Sequence, residues 1–309
     1  MALDLIYCPM PTKENGQFEL PPAILATVQE TLRSAAIEGT LNQIDRSMFR
    51  RYGLIECGEH YTDGVGVNVF HLAAEYGHLN QIPEEFLTEA VVLTEAGNNG
   101  NVLHWAALHG HLDQIPQSLL TDKNLQTRTK ADELDDGEGT VKGYTVGQAT
   151  VIHIAALFGN LNQVPEAALT QSNLTKVCAL GRTVFHAAAS SGQLNQIPEE
   201  LLTEANLLIR NKISGYTPLH TAAAYGSLAQ IPKHVLTERN CLEVDSPNDP
   251  KTVLHIARDA GYLDQLLGLE FSDGIVGIVG EEWYAKNAEI CRTRQQLAMD
   301  EAAADIDIF

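Results

Sequence analysis

Histidines recur along the chain at a nearly constant spacing, and histidine is well suited to metal binding and to proton transfer near neutral pH. Six of them are separated by 33, 49, 33, 34 and 35 residues: His71, His104, His153, His186, His220 and His255. A zinc site needs three or four ligands that converge on one point. One histidine per repeat unit predicts a row of well-separated residues, which we call the histidine ladder. We therefore expect neither a metal nor a cofactor at these six histidines.

The other residues with chemical potential form no complete motif. His109 and His111, with His78 one unit earlier, are an alternative metal cluster, although their spacing does not supply a full ligand set. The glycines of residues 274–280 are followed by no Lys-Ser or Lys-Thr pair, so a phosphate-binding loop is not indicated. The sequence contains neither G-x-S-x-G nor H-E-x-x-H, and we expect no enzyme.

Length and composition restrict the classes of partner. The 309 residues include 44% hydrophobic but only 6% aromatic side chains, which favours a core of closely packed Ala, Leu and Ile. The formal net charge of −20 disfavours nucleic acid and anionic lipid as partners and suits a basic protein surface. No apolar stretch approaches about eighteen residues, and the five cysteines are scattered. We therefore expect a cytoplasmic protein that crosses no membrane.

The histidines belong to an internal repeat. The segment VFHLAAEYGHLNQIPEEFLT at residues 69–88 returns five times, and an earlier partial copy has Arg33 in the place of the histidine. In the regular copies an Ala-Ala pair precedes a glycine, which predicts a short helix that ends at the glycine. Apolar residues then follow at spacings typical of one stripe on a second helix: Leu79, Ile82, Phe86 and Leu87. Each unit can bury this stripe only by stacking on its neighbours.

A proline lies within the predicted second helix in five units: Pro83, Pro116, Pro165, Pro198 and Pro232. An interior proline would cost about 3 kcal/mol or more. The residue three positions earlier is Asn or Asp in four of these units, for example Asn80, and both types are leading N-cap residues. We therefore predict that the second helix begins there, which places the proline in its first turn.

A glutamine recurs in every copy of the repeat: Gln43, Gln81, Gln114, Gln163, Gln196, Gln230 and Gln265. A side-chain amide offers both donors and an acceptor, and each must find a partner when it is buried. We predict a ladder of stacked amides between neighbouring second helices. A row of ligand-binding amides is the alternative.

The repeat resembles the ankyrin family. The family's T-P-L-H pattern stands intact at residues 217–220, and the period is that of ankyrin repeats. The resemblance covers about residues 31–268 and implies an all-α ankyrin-repeat solenoid of about six to seven helix-turn-helix units with helical caps. It also implies that the repeat histidines are structural and bond the nearby Thr and a neighbouring backbone. Asn68 and Asn101 depart from the pattern at the Thr position, and L-T-x-x-N-L replaces the usual glycine-containing link. The G-x-L-N-Q-I-P variant is similar to arrays in bacterial proteins.

The array sets the predicted domain organisation. Residues 1–30 are expected to form an N-terminal cap with a helix over 22–33. Residues 31–268 form the array, with an acidic insertion at about 127–148. Residues 269–309 form a C-terminal cap, helical over 281–303, and an acidic tail. Neither end is long enough for a catalytic domain of ordinary size.

The resemblance implies a concave binding surface just before each helix-ending glycine. The residues expected to line it are Tyr76, Leu108, His109, Leu157, Phe158 and Tyr225, with Arg182 and Tyr216 at the turn tips. Some of these side chains could instead pack against adjacent helices. We expect a monomeric scaffold or adaptor that binds a partner protein, and an acidic decoy of a basic or nucleic-acid-binding protein is the alternative. If the chain is a bacterial effector, delivery into a host cell is expected.

Overall fold

The computed structural model describes most of the chain in two compact units, residues 1–119 and residues 120–309. The residues described are 21–54, 56–57, 66–96, 100–130, 140–141, 144–145, 147–246 and 250–306. The first 20 residues of the predicted N-terminal cap and the acidic centre of the insertion lie outside them. The predicted domain boundaries stay predictions.

The first unit is a series of short helices. Its α-helices are α1 Pro22–Glu38, α2 Arg46–Tyr52, α3 Val69–Tyr76, α4 Glu89–Val92 and α5 Val102–His109. Helix α3 packs between α1 and α5. Helix α1 begins at the predicted residue and continues five residues past the predicted end.

The second unit repeats the same arrangement. Its α-helices are α6 Asp122–Leu125, α7 Val151–Leu157, α8 Gln171–Leu174, α9 Val184–Ser191, α10 Glu204–Leu207, α11 Pro218–Tyr225, α12 Glu238–Cys241, α13 Val253–Asp259, α14 Val276–Val279 and α15 Glu281–Ile306. Helix α9 packs on α7 and α11, and α11 packs on α13. The described strands, β1 Thr140–Val141 and β2 Tyr144–Thr145, form an antiparallel pair inside the insertion. Serial packing of adjacent helices confirms the predicted all-α ankyrin-repeat solenoid.

Each repeat opens with a capped helix that α11 exemplifies. Thr217 is its N-cap and accepts a hydrogen bond from the backbone N–H of His220, while Pro218 occupies the first turn. Ala222 and Ala223 are fully buried and let the neighbouring helices approach closely. Gly226 ends the helix with a φ of 77°, a left-handed conformation that glycine adopts without the steric penalty of a Cβ.

The predicted continuous second helix is wrong. Residues Leu79–Gln81 form one 3-10 turn, Ile82 is extended with ψ of 131°, and a second 3-10 turn covers Glu84–Phe86. Pro83 is therefore not inside a first helical turn, and Asn80 lies in the middle of the first 3-10 turn rather than at an N-cap. The physical reason is that proline disfavours the α conformation of the residue before it. Three of the four residues of the apolar stripe are nevertheless buried, namely Leu79, Ile82 and Leu87, whereas Phe86 is half-buried.

The L-T-x-x-N-L link forms a short helix of its own. Thr203 is the N-cap of α10 and accepts a hydrogen bond from the backbone N–H of Asn206. The Asn206 side chain donates to the carbonyl of Leu201 at 2.7 Å, in the preceding 3-10 turn. The same Thr and Asn pair recurs at α8 and α12. The link thus joins a 3-10 turn to a one-turn helix without a glycine.

The predicted stack of glutamine amides is corrected at three of the seven positions, where the side chain binds backbone. Gln230 donates from Nε2 to the carbonyl of Gly192 at 2.8 Å, and its Oε1 accepts from the N–H of Asn195 at 3.2 Å. Gln114 and Gln265 make the equivalent contacts with the repeat before them. The glycine that ends a helix leaves its carbonyl without a partner in that helix, and the glutamine of the next repeat satisfies it in these three cases.

Replacing Gln230 by Met is expected to destabilise the second unit. The change removes both hydrogen bonds to the preceding repeat and leaves a backbone carbonyl and an N–H without this partner, at a cost of about 1–3 kcal/mol. Urea unfolding measures the loss. Gln196→Met is the matched control, because Gln196 holds the same repeat position but is exposed. Equal losses in the two variants would contradict this account of the glutamines.

The last repeat is covered by α15, which begins at the predicted Glu281 and continues three residues past the predicted end. Asn287 is buried there, accepts from the N–H of Gly268 at 2.6 Å and donates to the carbonyl of Leu269 at 2.9 Å. Trp283 packs on Phe271 with ring centroids 6.2 Å apart. Among the helices of the described residues, none has the length and apolarity needed to cross a membrane.

Candidate protein-binding groove

The repeat histidines join each helix start to the tip of the next turn. The Thr150 hydroxyl lies 2.8 Å from Nδ1 of His153, and Nε2 of that ring lies 3.0 Å from the carbonyl of Lys176. A carbonyl can only accept, so Nε2 donates and Nδ1 accepts from the hydroxyl. His186 makes the same pair of contacts, with Thr183 at 2.9 Å and the Tyr216 carbonyl at 3.0 Å.

Threonine makes this contact in two more repeats, because His220 and His255 each have a threonine hydroxyl 2.8 Å from Nδ1. The neighbours of Nδ1 in His71 and His104 are instead the side-chain oxygens of Asn68 and Asn101, which cannot donate a hydrogen bond as a hydroxyl does. Asparagine replaces threonine as the N-cap at these two positions, because each oxygen accepts from backbone N–H groups at the helix start. Among the described residues, no three His, Cys, Asp or Glu side chains come together as metal ligands would.

Burial keeps three of these imidazoles in the second unit neutral. Loss of contact with water lowers the pKa of His153 and of His186 from 6.5 to about 4, although carbonyl acceptors at Nε2 oppose the shift. Burial is also the main cause that lowers the pKa of His220. His153 and His186 therefore contribute no positive charge to the surface beside them near neutral pH.

A groove of about 390 Å³ opens beside this ladder in the second unit, on the helices α7, α9 and α11. Its floor consists of small side chains, namely Ala187, Ser190, Thr221 and Ala224. Larger side chains border it: Ile154, Leu157, Tyr216 and Tyr225. Arg182 and Asn211 approach from the turn tips. A space of this size accepts one or two partner side chains between aromatic and aliphatic surfaces.

The groove exists because two adjacent repeats carry small residues at positions that other repeats fill. The residue after the repeat histidine is Leu72, Trp105, Ile154 or Ile256 in four units, but Ala187 and Thr221 in the two beneath the groove. Four positions after the histidine, Leu108 and Leu157 are replaced by Ser190 and Ala224. Small residues at equivalent positions of two successive repeats are therefore a signal in the sequence that predicts a groove. A prediction based on large exposed residues does not include this signal.

Four of the eight predicted binding residues line the groove together, namely Leu157, Arg182, Tyr216 and Tyr225. Tyr225 is 52% exposed and presents a large aromatic ring to a partner. The pKa of the Tyr216 phenol is raised, first by burial and then by the charge of Asp245. Phe158 is the C-cap residue of α7 and is half-buried outside the groove lining.

The remaining three predicted residues belong to the first unit. Tyr76 is 37% exposed at the end of α3, and Leu108 and His109 lie at the end of α5. His109 stands beside Trp105, with ring centroids 6.4 Å apart, and Trp105 is itself buried. The large indole occupies the register position that Ala187 holds in the second unit. The use of these three residues in binding stays a prediction.

Arginines at the turn tips differ in how they are engaged. Arg128 donates to the carbonyls of Gln148 and Val177 at 2.6 and 2.9 Å. Arg210 donates to the carbonyl of Asp245 at 2.9 Å and pairs with Glu243. The Arg182 side chain is exposed and forms no ion pair or hydrogen bond with any other residue in the described part of the chain. Its guanidinium therefore remains available at the edge of the groove.

Comparison with known proteins agrees with this architecture. A family model described as ankyrin repeats (3 copies) matches residues 152–234, a segment that contains the floor of the groove. No curated protein matches the chain. The matched segment contains three successive repeat histidines, His153, His186 and His220, and the same arrangement of capped helix and histidine recurs on either side of it. The matched repeats and the serially packed helices support an ankyrin-repeat family for this chain.

Proposed function

We propose that the protein is an interaction scaffold or adaptor that binds a partner protein through the groove on α7, α9 and α11. Ankyrin repeats are generally protein-protein interaction modules, and proteins built from them are typically not enzymes. The observation that carries the proposal is the groove itself, with an exposed Tyr225 above a floor of small residues.

The chemistry of the lining favours a protein ligand. Tyrosine offers a large rigid contact area with a polar end, and buried aromatic anchors supply much of the binding energy of protein interfaces. The small floor residues leave room for a complementary side chain to be desolvated between Leu157 and Tyr225. An interface built on such contacts depends mainly on apolar burial and therefore changes little with salt.

An acidic decoy is the second candidate function, and the net charge of −20 favours it. A decoy would hold a basic protein by long-range attraction between exposed charges. Such attraction is screened over about 10 Å at 0.1 M salt, so binding by a decoy would weaken steeply as salt is raised. Salt dependence therefore separates the two functions.

Filling the groove is expected to weaken partner capture without unfolding the protein. The double variant Ala187→Ile, Ser190→Leu gives this repeat the two residues that the preceding repeat has, Ile154 and Leu157, so the backbone already accommodates them elsewhere. Affinity capture from lysate of the source cell, with mass spectrometry at low and moderate salt, measures the result. We expect the wild-type partner to persist at moderate salt and to fall about tenfold or more with the variant, a change of about 1.4 kcal/mol.

Glu200→Leu is the control for added apolar surface, because Glu200 is exposed in the 3-10 turn of the same repeat and lies outside the groove lining. It is expected to capture the same partner as the wild type. Undiminished capture by the folded double variant would reject the groove. Loss of the partner on raising salt, with no effect of filling, would instead support the decoy.

A further inference from the structure

We propose that the groove selects a partner segment in which an apolar side chain is followed or preceded closely by a carboxylate, with Arg182 as the residue that recognises the carboxylate. This inference rests on the proposed function and adds the chemical class of the ligand. It commits to an acidic and apolar peptide segment, in contrast to the basic partner that the net charge of the chain suggests.

The charged side chain in the groove is positive, whereas the net charge of the chain as a whole is negative. No Asp or Glu is found among the described residues that line the groove, and Arg182 is the charged side chain there. His153 and His186 also line it but stay neutral near pH 7, because burial lowers the pKa of each to about 4. In a chain with twice as many acidic as basic residues, this is a local site for an anion.

Two other polar residues at the same end of the groove, Asn211 and Ser214, bond to each other. Asn211 accepts at Oδ1 from the backbone N–H groups of Ile213 and Ser214, at 3.0 and 2.9 Å. Its amide nitrogen donates to the Ser214 hydroxyl at 3.0 Å. These hydrogen bonds hold the tip, and the guanidinium of Arg182 beside it is a charged donor group that can receive a ligand.

Arginine suits this task for a geometric reason. Its planar guanidinium presents parallel N–H donors that match the two oxygens of a carboxylate, and such charge-assisted pairs are stronger than hydrogen bonds between neutral groups. An exposed pair alone contributes little. The apolar floor of Ala187 and Ala224 adds the burial that makes the pair selective, so the ligand must supply both an apolar side chain and a carboxylate.

A matched set of synthetic peptides tests the proposal. Each fluorescein-labelled peptide has a central Leu, Phe or Ser, flanked by Glu, Gln or Lys, and binding is measured by fluorescence anisotropy. We expect the tightest binding for peptides with Leu or Phe next to Glu. Arg182→Glu is expected to weaken these peptides about tenfold, about 1.4 kcal/mol, and to strengthen the Lys peptides. Lys233→Glu makes the same change of charge at an exposed residue outside the groove and is expected to leave the ranking unchanged.

The outcomes separate this inference from the proposed function. A wild-type preference for Lys peptides, an unchanged ranking in Arg182→Glu, or no binding by any peptide would overturn the inference. If the groove-filling double variant still loses its captured partner in those cases, the proposed function stands and only the ligand class is wrong. If that variant keeps its partner, the groove is not the binding site and both proposals fail.

Discussion

Acidification from about pH 6.5 to about pH 4 is expected to lower the free energy of unfolding by about 3 kcal/mol for each of His153 and His186. Both rings have a pKa of about 4 in the folded protein, against 6.5 when they are in water. Above about pH 6.5 the rings are neutral in both states and the stabilisation is fully present. Between the two values the unfolded chain binds protons that the folded chain does not, so stability is lost as the pH falls through the folded pKa.

Urea unfolding of the wild type and of His186→Gln over this pH range measures the effect. The variant is expected to be less stable near pH 7 and to lose less stability on acidification, because one buried ring no longer resists protonation. Comparing the two proteins removes the contribution of carboxylates that both contain. His234→Gln, at an exposed histidine outside the ladder, should retain the wild-type pH dependence. If His186→Gln also retains the wild-type pH dependence, the buried repeat histidines do not cause the loss of stability on acidification.

Phe185→Ala is expected to destabilise the second unit by about 3–5 kcal/mol. The Phe185 ring is 0% exposed in α9, which packs on α7 and on α11, so the substitution leaves a cavity in the core of the array. Tyr225→Ala removes a ring of similar size from a half-exposed position and is expected to cost less than about 1 kcal/mol. Urea unfolding of both variants measures the difference. Similar losses would show that Tyr225 is part of the core rather than a binding residue.

The first helix of each repeat could be predicted from sequence because its determinants are local. An N-cap Thr or Asn, an Ala-Ala pair and a terminal glycine all lie within about ten residues, and α3, α5, α9 and α11 follow them. The second half of each repeat could not be predicted in this way, because the same apolar spacing fits a continuous helix and two 3-10 turns equally well. The backbone conformation of the residue before the proline determines which of the two structures forms. Ile82 is extended, and three residues of the stripe are buried without a helix.

The candidate site was predicted in part. Leu157 and Tyr225 follow from their register before the helix-ending position, and both line the groove. The contacts of the glutamines could not be predicted, because repetition in a sequence suggests that equivalent residues contact each other, whereas Gln230 bonds the backbone of Gly192. The depth of the groove depends on the small side-chain volumes of Ala187 and Ser190. Large exposed side chains do not indicate where such small residues leave a space.

Site-specific photo-crosslinking tests the central claim, that the groove is where a partner protein binds. A photoreactive phenylalanine derivative replaces Tyr225 at the border of the groove in one protein, where it keeps an aromatic ring and leaves the small floor residues in place, and the exposed Glu200 outside the groove in another. After irradiation in source-cell lysate, we expect a discrete crosslinked partner with the probe at Tyr225, reduced by the Ala187→Ile change, and none with the probe at Glu200. Crosslinking of the partner at Glu200 but not at Tyr225 would contradict the claim.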